Sequence, residues 1–149
     1  MSKALTALVA ATAIAGTAAA QPSPLTATCE AFFNAMNAGQ PEAILATLAP
    51  DVVTYEPVGT PPNEGREGVM AWLQNNAAMG FQSISVEINA MYPAGDENVV
   101  IWTSTFVLAD GREVVVDGAD LHRFNEDGLI VEIRGYFDPS IVMAAIGGN

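Results

Sequence analysis

The segment EVVVDGADLHRFNEDGLIVEIRGYF, Glu113–Phe137, indicates the fold class of this 149-residue chain. Apolar residues recur along both of its halves, and the Asp127-Gly128 pair between them is typical of a hairpin turn. Two further strand-like segments, Phe81–Met91 and Val99–Leu108, precede it. Turn sequences separate the segments at Ala94-Gly95-Asp96 and Asp110-Gly111. The sequence therefore predicts a run of four hairpin-linked strands.

Helical patterns occupy the region before these strands. The first predicted helix begins at Ser23-Pro24, a good cap and first-turn pair, and ends at Gly39. A second, short helix begins at Pro41 and is stopped by Pro50, and a third ends at Gly80. Helices followed by hairpin-linked strands predict an α+β domain, with three N-terminal helices packed on one face of a mostly antiparallel sheet.

The composition limits the possible partners. Half of the residues are hydrophobic and 15% are charged, which suits one folded domain at this length. The chain has 5 basic and 17 acidic residues, a formal net charge of −12. It cannot build the cationic surface that nucleic acids or anionic membranes require. The single cysteine, Cys29, excludes an intramolecular disulfide and a cysteine-cluster metal site.

Residues 1–20 have the pattern of a secretory signal peptide. Lys3, the only lysine, precedes an apolar run from Ala4 to Ala15, and Ala18-Ala19-Ala20 offers a cleavage site before Gln21. The run is shorter than the ~20 residues of a membrane span. We therefore expect an exported protein, periplasmic or secreted, with a mature domain of residues 21–149. The alternative is an ordinary N-terminal helix on a cytoplasmic protein.

Both faces of the predicted strands are apolar. In Val99–Leu108 (VVIWTSTFVL), neither alternating set of residues is typical of a solvent-facing surface. One face must cover the helices, so we expect the other to meet a second sheet, most simply that of another subunit. The sequence thus predicts a homodimer that associates through its sheets.

The sequence lacks the residues that most kinds of reactive site require. His122 is the only histidine, and no His/Cys cluster or calcium-loop pattern occurs, so no metal site is expected. Neither a nucleophile elbow nor a phosphate-binding loop is present, and no cofactor is indicated. A serine or cysteine hydrolase is disfavoured, because the one histidine would have to serve it.

Carboxylates in apolar surroundings are the remaining candidates. Asp120 shares a face of its predicted strand with Val116 and Phe124, whereas Asp117 has the opposite orientation. A charge on an apolar inner face is costly, so Asp120 could act as a protonated hydrogen-bond donor. The alternative is that Asp120 faces solvent or caps a backbone group.

Glu56 is the second candidate. It ends the short predicted strand Asp51–Glu56 and precedes Pro57, a position at which an ionised carboxylate can stand at the mouth of a cavity. The alternative is an ordinary surface glutamate. If Glu56 and Asp120 share a pocket, the ionised group is the base and the neutral group the donor.

Two segments resemble the ketosteroid isomerase branch of the nuclear transport factor 2-like superfamily, which includes the SnoaL-like polyketide cyclases. They are FFNAMNAGQPEAILATLAPDVVTYEPVGTPPNEGREG (Phe32–Gly68) and VDGADLHRFNEDGLIVEIRGYFD (Val116–Asp138). The resemblance implies a cone-shaped half-barrel, in which a curved sheet holds an apolar pocket on its concave side. It also implies dimers formed through the sheet.

The resemblance assigns roles to individual residues. The general base of these isomerases matches Glu56, and their protonated oxyanion-hole aspartate, for which this family is the standard example, matches Asp120. Their oxyanion tyrosine matches Phe32, which has no hydroxyl, and the two supporting tyrosines match Leu48 and Leu73. The predicted pocket residues are Phe32, Trp72, His122, Phe124 and Phe137. For His122, the alternative is a satisfied structural residue.

These observations predict an acid/base site that moves a proton next to a carbonyl, in an isomerisation or a cyclisation. The ligand would be an apolar small molecule, and a cyclic ketone is one candidate. The alternative is a non-catalytic ligand-binding or dimerisation module, because the tyrosine network is missing and fold does not determine function. The sequence leaves open whether the chain is an enzyme.

Overall fold

The computed structural model describes residues 23–147. The helices are α1 (Pro24–Asn37), α2 (Pro41–Ala46), α3 (Gly65–Ala77) and α4 (Ser140–Gly147). The strands are β1 (Leu48–Tyr55), β2 (Asn63–Glu64), β3 (Ser83–Ala94), β4 (Glu97–Val107), β5 (Glu113–Phe124) and β6 (Ile130–Tyr136). The predicted signal peptide lies outside the described residues, so export stays a prediction.

The strands form one curved, unclosed sheet in the order β2-β1-β6-β5-β4-β3. Only the β1–β6 pair is parallel among the pairs of this sheet, which confirms the α+β class and the mostly antiparallel arrangement. The turns predicted between β3 and β6 are also confirmed. At the first of them, Ala94 pairs with Glu97, and Gly95 adopts a φ of +63°, which favours glycine over residues with a side chain.

Helix α1 is fixed at its start by a cap and along its length by burial. The Ser23 hydroxyl accepts a hydrogen bond from the Leu25 amide at 3.2 Å, and Pro24 occupies the first turn, where no amide donor is needed. The helix packs against β3 and β4. Its buried residues are Cys29, Phe32, Phe33 and Ala35.

The short strand predicted from Asp51 begins earlier than expected, at Leu48. Helix α2 ends at Ala46, so the prediction that Pro50 stops this helix is wrong. Pro50 instead lies exposed within β1, where the register with β6 shifts between Leu48 and Val53. Strands accept proline at such irregularities because no regular ladder hydrogen bond is lost there.

Helix α4 was not predicted from the sequence. It follows β6 directly and packs against β5. The Asp138 carboxylate accepts a hydrogen bond from the Ser140 amide at 2.9 Å, which is a local helix-start signal. Among the described residues, no helix is long and apolar enough to cross a membrane.

Candidate active site

The strand register brings Glu56 and Asp120 to one place on the sheet. Tyr55, the last residue of β1, pairs with Arg134 of β6, so Glu56 follows beside Gly135. Gly135 in turn pairs with Asp120 of β5. The backbones of β1 and β5 are thus two strand spacings apart, about 10 Å. Side chains that extend over Gly135 from either side therefore approach each other.

Gly135 leaves the space in which the two acids meet. A methyl group at this position would lie 2.6 Å from Oε2 of Glu56, which is closer than real carbon atoms approach an oxygen. The Gly135 carbonyl also accepts a hydrogen bond from the Val58 amide at 2.8 Å. This bond holds the segment after β1 against β6. Gly135 thus positions the Glu56 carboxyl through its backbone and through its missing side chain.

Both carboxyls belong to the wall of one apolar cavity of about 340 Å³. The sheet, α1, α3 and the C-terminal α4 all contribute to its lining. Of the predicted pocket residues, the wall includes Phe32, Trp72 and Phe137. The two acids are thus held among hydrophobic side chains, where electrostatic interactions are much stronger than in water.

Trp102 is a central wall residue that the sequence reasoning missed. It pairs with Gly118 of β5, and a methyl group at Gly118 would overlap with the indole ring. The other side of the ring meets Phe137, with ring centroids 5.6 Å apart. The indole Nε1–H is buried and has no hydrogen-bond partner within residues 23–147. A glycine opposite a tryptophan on neighbouring strands is the signal that could have identified it.

Helix α4 supplies the other part of the cavity that was missed. Pro139, Val142 and Met143 contribute to the wall. Two polar residues of α3, Asn75 and Asn76, also reach it. Met143 is 56% exposed although it borders an apolar cavity, which places it near the opening.

His122 and Phe124 do not line the cavity, contrary to the prediction. Both share the inner face of β5 with Asp120, as expected, but they lie behind the wall in the core, 0% and 4% exposed. The Phe32 and Phe33 rings of α1 cover His122, with centroids at 5.4 Å and 5.7 Å. The helix therefore separates this end of the strand from the ligand space.

His122 nevertheless contacts the site through Asp120. Its Nε2 lies 3.5 Å from Oδ2 of Asp120, an ion-pair distance that is longer than a well-formed hydrogen bond. Its Nδ1 lies 3.3 Å from Sγ of Cys29. Burial alone would lower the pKa of His122, but the contacts with Asp120 and Cys29 outweigh burial and raise the pKa to about 9.

The environment of Glu56 differs from the sequence expectation. Burial raises the pKa of Glu56 well above its ordinary value, and the negative charge of Asp120 raises it further, while His122 lowers it in part. These effects favour a neutral Glu56 carboxyl over the ionised glutamate that the sequence suggested at the mouth of the cavity. The cause is Gly135, which lets the side chain lie inward over the sheet.

The described residues contain no group of three or more potential metal-ligating side chains. The polar or partly polar residues of the cavity wall are Glu56, Asp120, Trp102, Ser104, Asn75 and Asn76. The Ser104 hydroxyl donates to the Ser85 carbonyl at 3.3 Å. Such an arrangement can transfer protons and donate hydrogen bonds to an oxygen atom of an apolar ligand.

The family model of the SnoaL-like domain matches residues 29–133, and the chain belongs to this family. The match includes β1, β5 and most of the cavity wall. It confirms the resemblance and the fold that the sequence predicted.

The individual relatives include a steroid isomerase and a protein solved with a steroid ester. A steroid Δ-isomerase from Nocardioides simplex is 27% identical over 108 residues, which cover 72% of this chain and 85% of that enzyme. The RV0760c protein of Mycobacterium tuberculosis, solved in complex with estradiol-17β-hemisuccinate, is 26% identical. Its match has a TM-score of 0.71 and covers 80% of this chain and 98% of that one.

A solved Δ5-3-ketosteroid isomerase from Mycobacterium sp. has the same fold. Its TM-score is 0.70 at 23% identity, with 80% of this chain and 97% of that chain covered. The fold is therefore shared along almost the full length of that isomerase.

Proposed function

We propose that this protein transfers a proton next to a carbonyl group of an apolar small molecule, in an isomerisation or a cyclisation. The observation that carries the proposal is the approach of Glu56 and Asp120 over Gly135 inside one apolar cavity. Two acids in such a site cannot both ionise easily, so one serves as a base while the other keeps its proton and donates it. This is the division of roles that enolisation requires.

The lining of the cavity favours a mostly apolar ligand, and we propose a cyclic ketone. The two acids, Ser104 and two asparagines of α3 are among the few polar residues of the wall, while aromatic and aliphatic side chains form most of it. The Nocardioides simplex relative is a steroid isomerase, and the RV0760c protein was solved with a steroid ester. Both relatives support a polycyclic ligand of this kind.

One feature favours a second candidate function, the binding of such a ligand without catalysis. Phe32 stands where the resemblance places an oxyanion tyrosine, and loss of one oxyanion donor costs roughly 10²–10³ in rate. The Trp102 indole N–H is a potential replacement donor. An experiment must therefore separate binding from proton transfer.

The experiment measures deuterium incorporation at the α-carbons of an unsaturated 3-ketosteroid in D₂O, beside its binding. We expect the wild-type protein to bind the steroid and to accelerate exchange. The double variant Glu56→Gln/Asp120→Asn should bind within about threefold of wild type and should lose the acceleration, because neither amide can accept the proton. Asp117→Asn, on the opposite face of β5, is the matched control and should exchange normally.

Two results would decide against catalysis. If the wild-type protein binds the steroid but does not accelerate exchange, the ligand-binding function replaces the proposal. If the double variant exchanges as fast as wild type, the proton transfer does not depend on the two acids. Smaller cyclic ketones serve as second substrates in the same assay.

We also propose that the protein forms a homodimer through the outer face of its sheet. Val115 and Tyr136 on this face are 53% and 49% exposed, which is costly for large side chains in an isolated monomer. Sedimentation equilibrium at micromolar concentration should give about twice the chain mass of 15.5 kDa. A monomer under these conditions contradicts this part of the proposal.

Export is a separate proposal that rests on the sequence of residues 1–20. Protein isolated from its host should begin at Gln21, as measured by intact mass. An uncleaved N-terminus in the cytosolic fraction would contradict export and would leave the catalytic proposal unaffected.

A further inference from the structure

A chain of buried polar side chains runs from the core to the cavity. The Asn98 amide donates to Sγ of Cys29 at 3.3 Å, and Sγ contacts Nδ1 of His122 at 3.3 Å. His122 then contacts Asp120, which lines the cavity. Asn98, Cys29 and His122 are 0% exposed and Asp120 is 5% exposed. Buried polar groups of this kind are costly unless they interact with one another.

His122 lies in a closed aromatic environment. The Phe33 ring stacks on it at an interplanar angle of 13°, and the Phe32 ring meets it edge-on. The titratable groups that act on it are Cys29 from α1, Asp120 from β5 and, more distantly, Glu56 after β1. A cation in this position requires a nearby anion, and the Asp120 carboxylate is the one in contact with it.

The two oxygens of Asp120 have different surroundings. Oδ2 faces His122, while Oδ1 is buried and has no hydrogen-bond partner within residues 23–147. Asp120 belongs to the cavity wall, so a ligand in the cavity meets this residue and not His122. A carboxylate with one oxygen paired to a cation and the other unpartnered keeps lone pairs that can accept a proton.

We propose that His122 is a positioning residue that sets the roles of the two acids: as an imidazolium it keeps Asp120 ionised, so that Asp120 is the base and Glu56 the donor. This inference rests on the proposed function and reverses the assignment that the resemblance implies. It explains why the chain places a histidine behind Asp120, where it touches no ligand.

The resulting proton transfer is balanced in each step. Asp120 takes the proton from the α-carbon as that C–H bond breaks, and its electron pair moves towards the carbonyl to form an enolate. The neutral Glu56 carboxyl donates a hydrogen bond to the enolate oxygen. Asp120 then returns the proton to another carbon of the conjugated system, and the carbonyl re-forms. His122 keeps its protons throughout.

The ionisation directions of the neighbouring groups agree with this assignment. The pKa of Glu56 is raised, first by burial and then by the negative charge of Asp120, so Glu56 holds its proton. The pKa of His122 is raised to about 9. The three groups together then carry no net charge at neutral pH, because the Asp120 carboxylate is balanced by the His122 imidazolium and Glu56 is neutral.

The first test uses NMR of the imidazole nitrogens in tag-free protein labelled with ¹⁵N. Because His122 is the only histidine, one pair of ring signals reports on it without ambiguity. We expect both nitrogens to be protonated at pH 7, with a transition near pH 9. A neutral ring at pH 7, with Nδ1 accepting a hydrogen bond from the Cys29 thiol, overturns the inference.

Two variants provide matched comparisons in the same NMR experiment. Asp120→Asn should move the His122 transition down by about two pH units, because burial then acts without a counter-ion. Glu56→Gln should move it much less, since Glu56 does not contact the ring. Equal shifts in both variants contradict the specific Asp120–His122 pair.

The second test compares the two single variants in the deuterium-exchange assay. Asp120→Asn removes the base and should slow exchange about 10³-fold, whereas Glu56→Gln keeps a donor and should cost about tenfold. His122→Gln should move the acidic limb of the rate–pH profile to higher pH by about one unit. A purely structural role would lower the rate without moving this limb.

These outcomes separate the inference from the proposed function. If Glu56→Gln slows exchange more than Asp120→Asn, the assignment is wrong although proton transfer stands. If no ketone is exchanged by wild type, the proposed function fails, and the NMR result still decides the charge state of His122.

Discussion

Asp117 and Asp120 lie three residues apart on β5 and have opposite environments. Asp117 is exposed and accepts a hydrogen bond from the Thr103 hydroxyl at 2.6 Å, on the outer face. Asp120 is 5% exposed on the inner face, beside an equally buried histidine. The same side chain is thus solvated on one face and held in an apolar cavity on the other. The alternation of a strand is what makes only one of them a candidate for chemistry.

The largest difference between the two faces should appear in the pH dependence of stability. The pKa of His122 is about 9 in the folded protein and about 6.5 when unfolded. The stabilisation from this protonated ring is therefore complete below about pH 6.5 and is lost as the pH rises through 9, an effect on the order of 3 kcal/mol. The pKa of Glu56 is also raised in the folded protein, so its ionisation likewise lowers the free energy of unfolding as the pH rises.

Urea unfolding at pH 6 and pH 9.5 measures this loss directly. Asp117→Asn should keep the wild-type difference between the two pH values. Asp120→Asn should reduce it strongly, because the ring no longer has its counter-ion. An unchanged difference in Asp120→Asn would show that the ion pair does not contribute to stability.

An intermediate effect is expected from added volume on the inner face. Gly118→Val would force the Trp102 ring out of its place and should lower the free energy of unfolding by about 2 kcal/mol. Ala119→Val places the same side chain on the outer face and should change it by less than about 0.5 kcal/mol. Urea unfolding of both variants checks the comparison, and equal losses would contradict it.

The smallest effect belongs to an ion pair on the outer face. Arg123 donates to Oε2 of Glu132 at 2.7 Å and 3.0 Å, with the arginine side chain 44% exposed. Glu132→Gln should cost about 0.5 kcal/mol, because solvent screens such pairs, and the loss should disappear in 1 M NaCl. A larger loss that persists in high salt would mean that a second subunit buries this face.

The fold was largely predictable because its signals are local. Turn glycines at 95, 111 and 128 have positive φ values, and alternation correctly placed Asp120 on the inner face of β5. The exceptions were Pro50, which lies at a register shift, and α4, whose short apolar sequence was not recognised as a helix. Both features depend on a neighbouring strand: Pro50 on the register of β1 with β6, and α4 on its packing against β5.

The placement of the two candidate acids on one cavity could be predicted from the sequence, but their environment could not. The resemblance matched Glu56 and Asp120 to site residues, and the register places them on either side of Gly135. The burial of Glu56 depends on Gly135, from a strand 79 positions later, which alternation cannot reveal. His122 lies behind Phe32 and outside the cavity wall because of the way α1 packs across the sheet. The burial of Glu56 and the position of His122 thus depend on contacts between distant segments, which a local sequence pattern does not reveal.

Gly135 suggests a different way to manipulate this protein. An alanine there would leave both acids, the histidine and most of the cavity in the chain, yet its methyl group would occupy the space where the acids meet. Such a variant would disconnect two reactive groups without deleting either of them. The absence of a side chain at Gly135 is therefore what allows groups on two different strands to interact, and a single methyl group would be enough to prevent it.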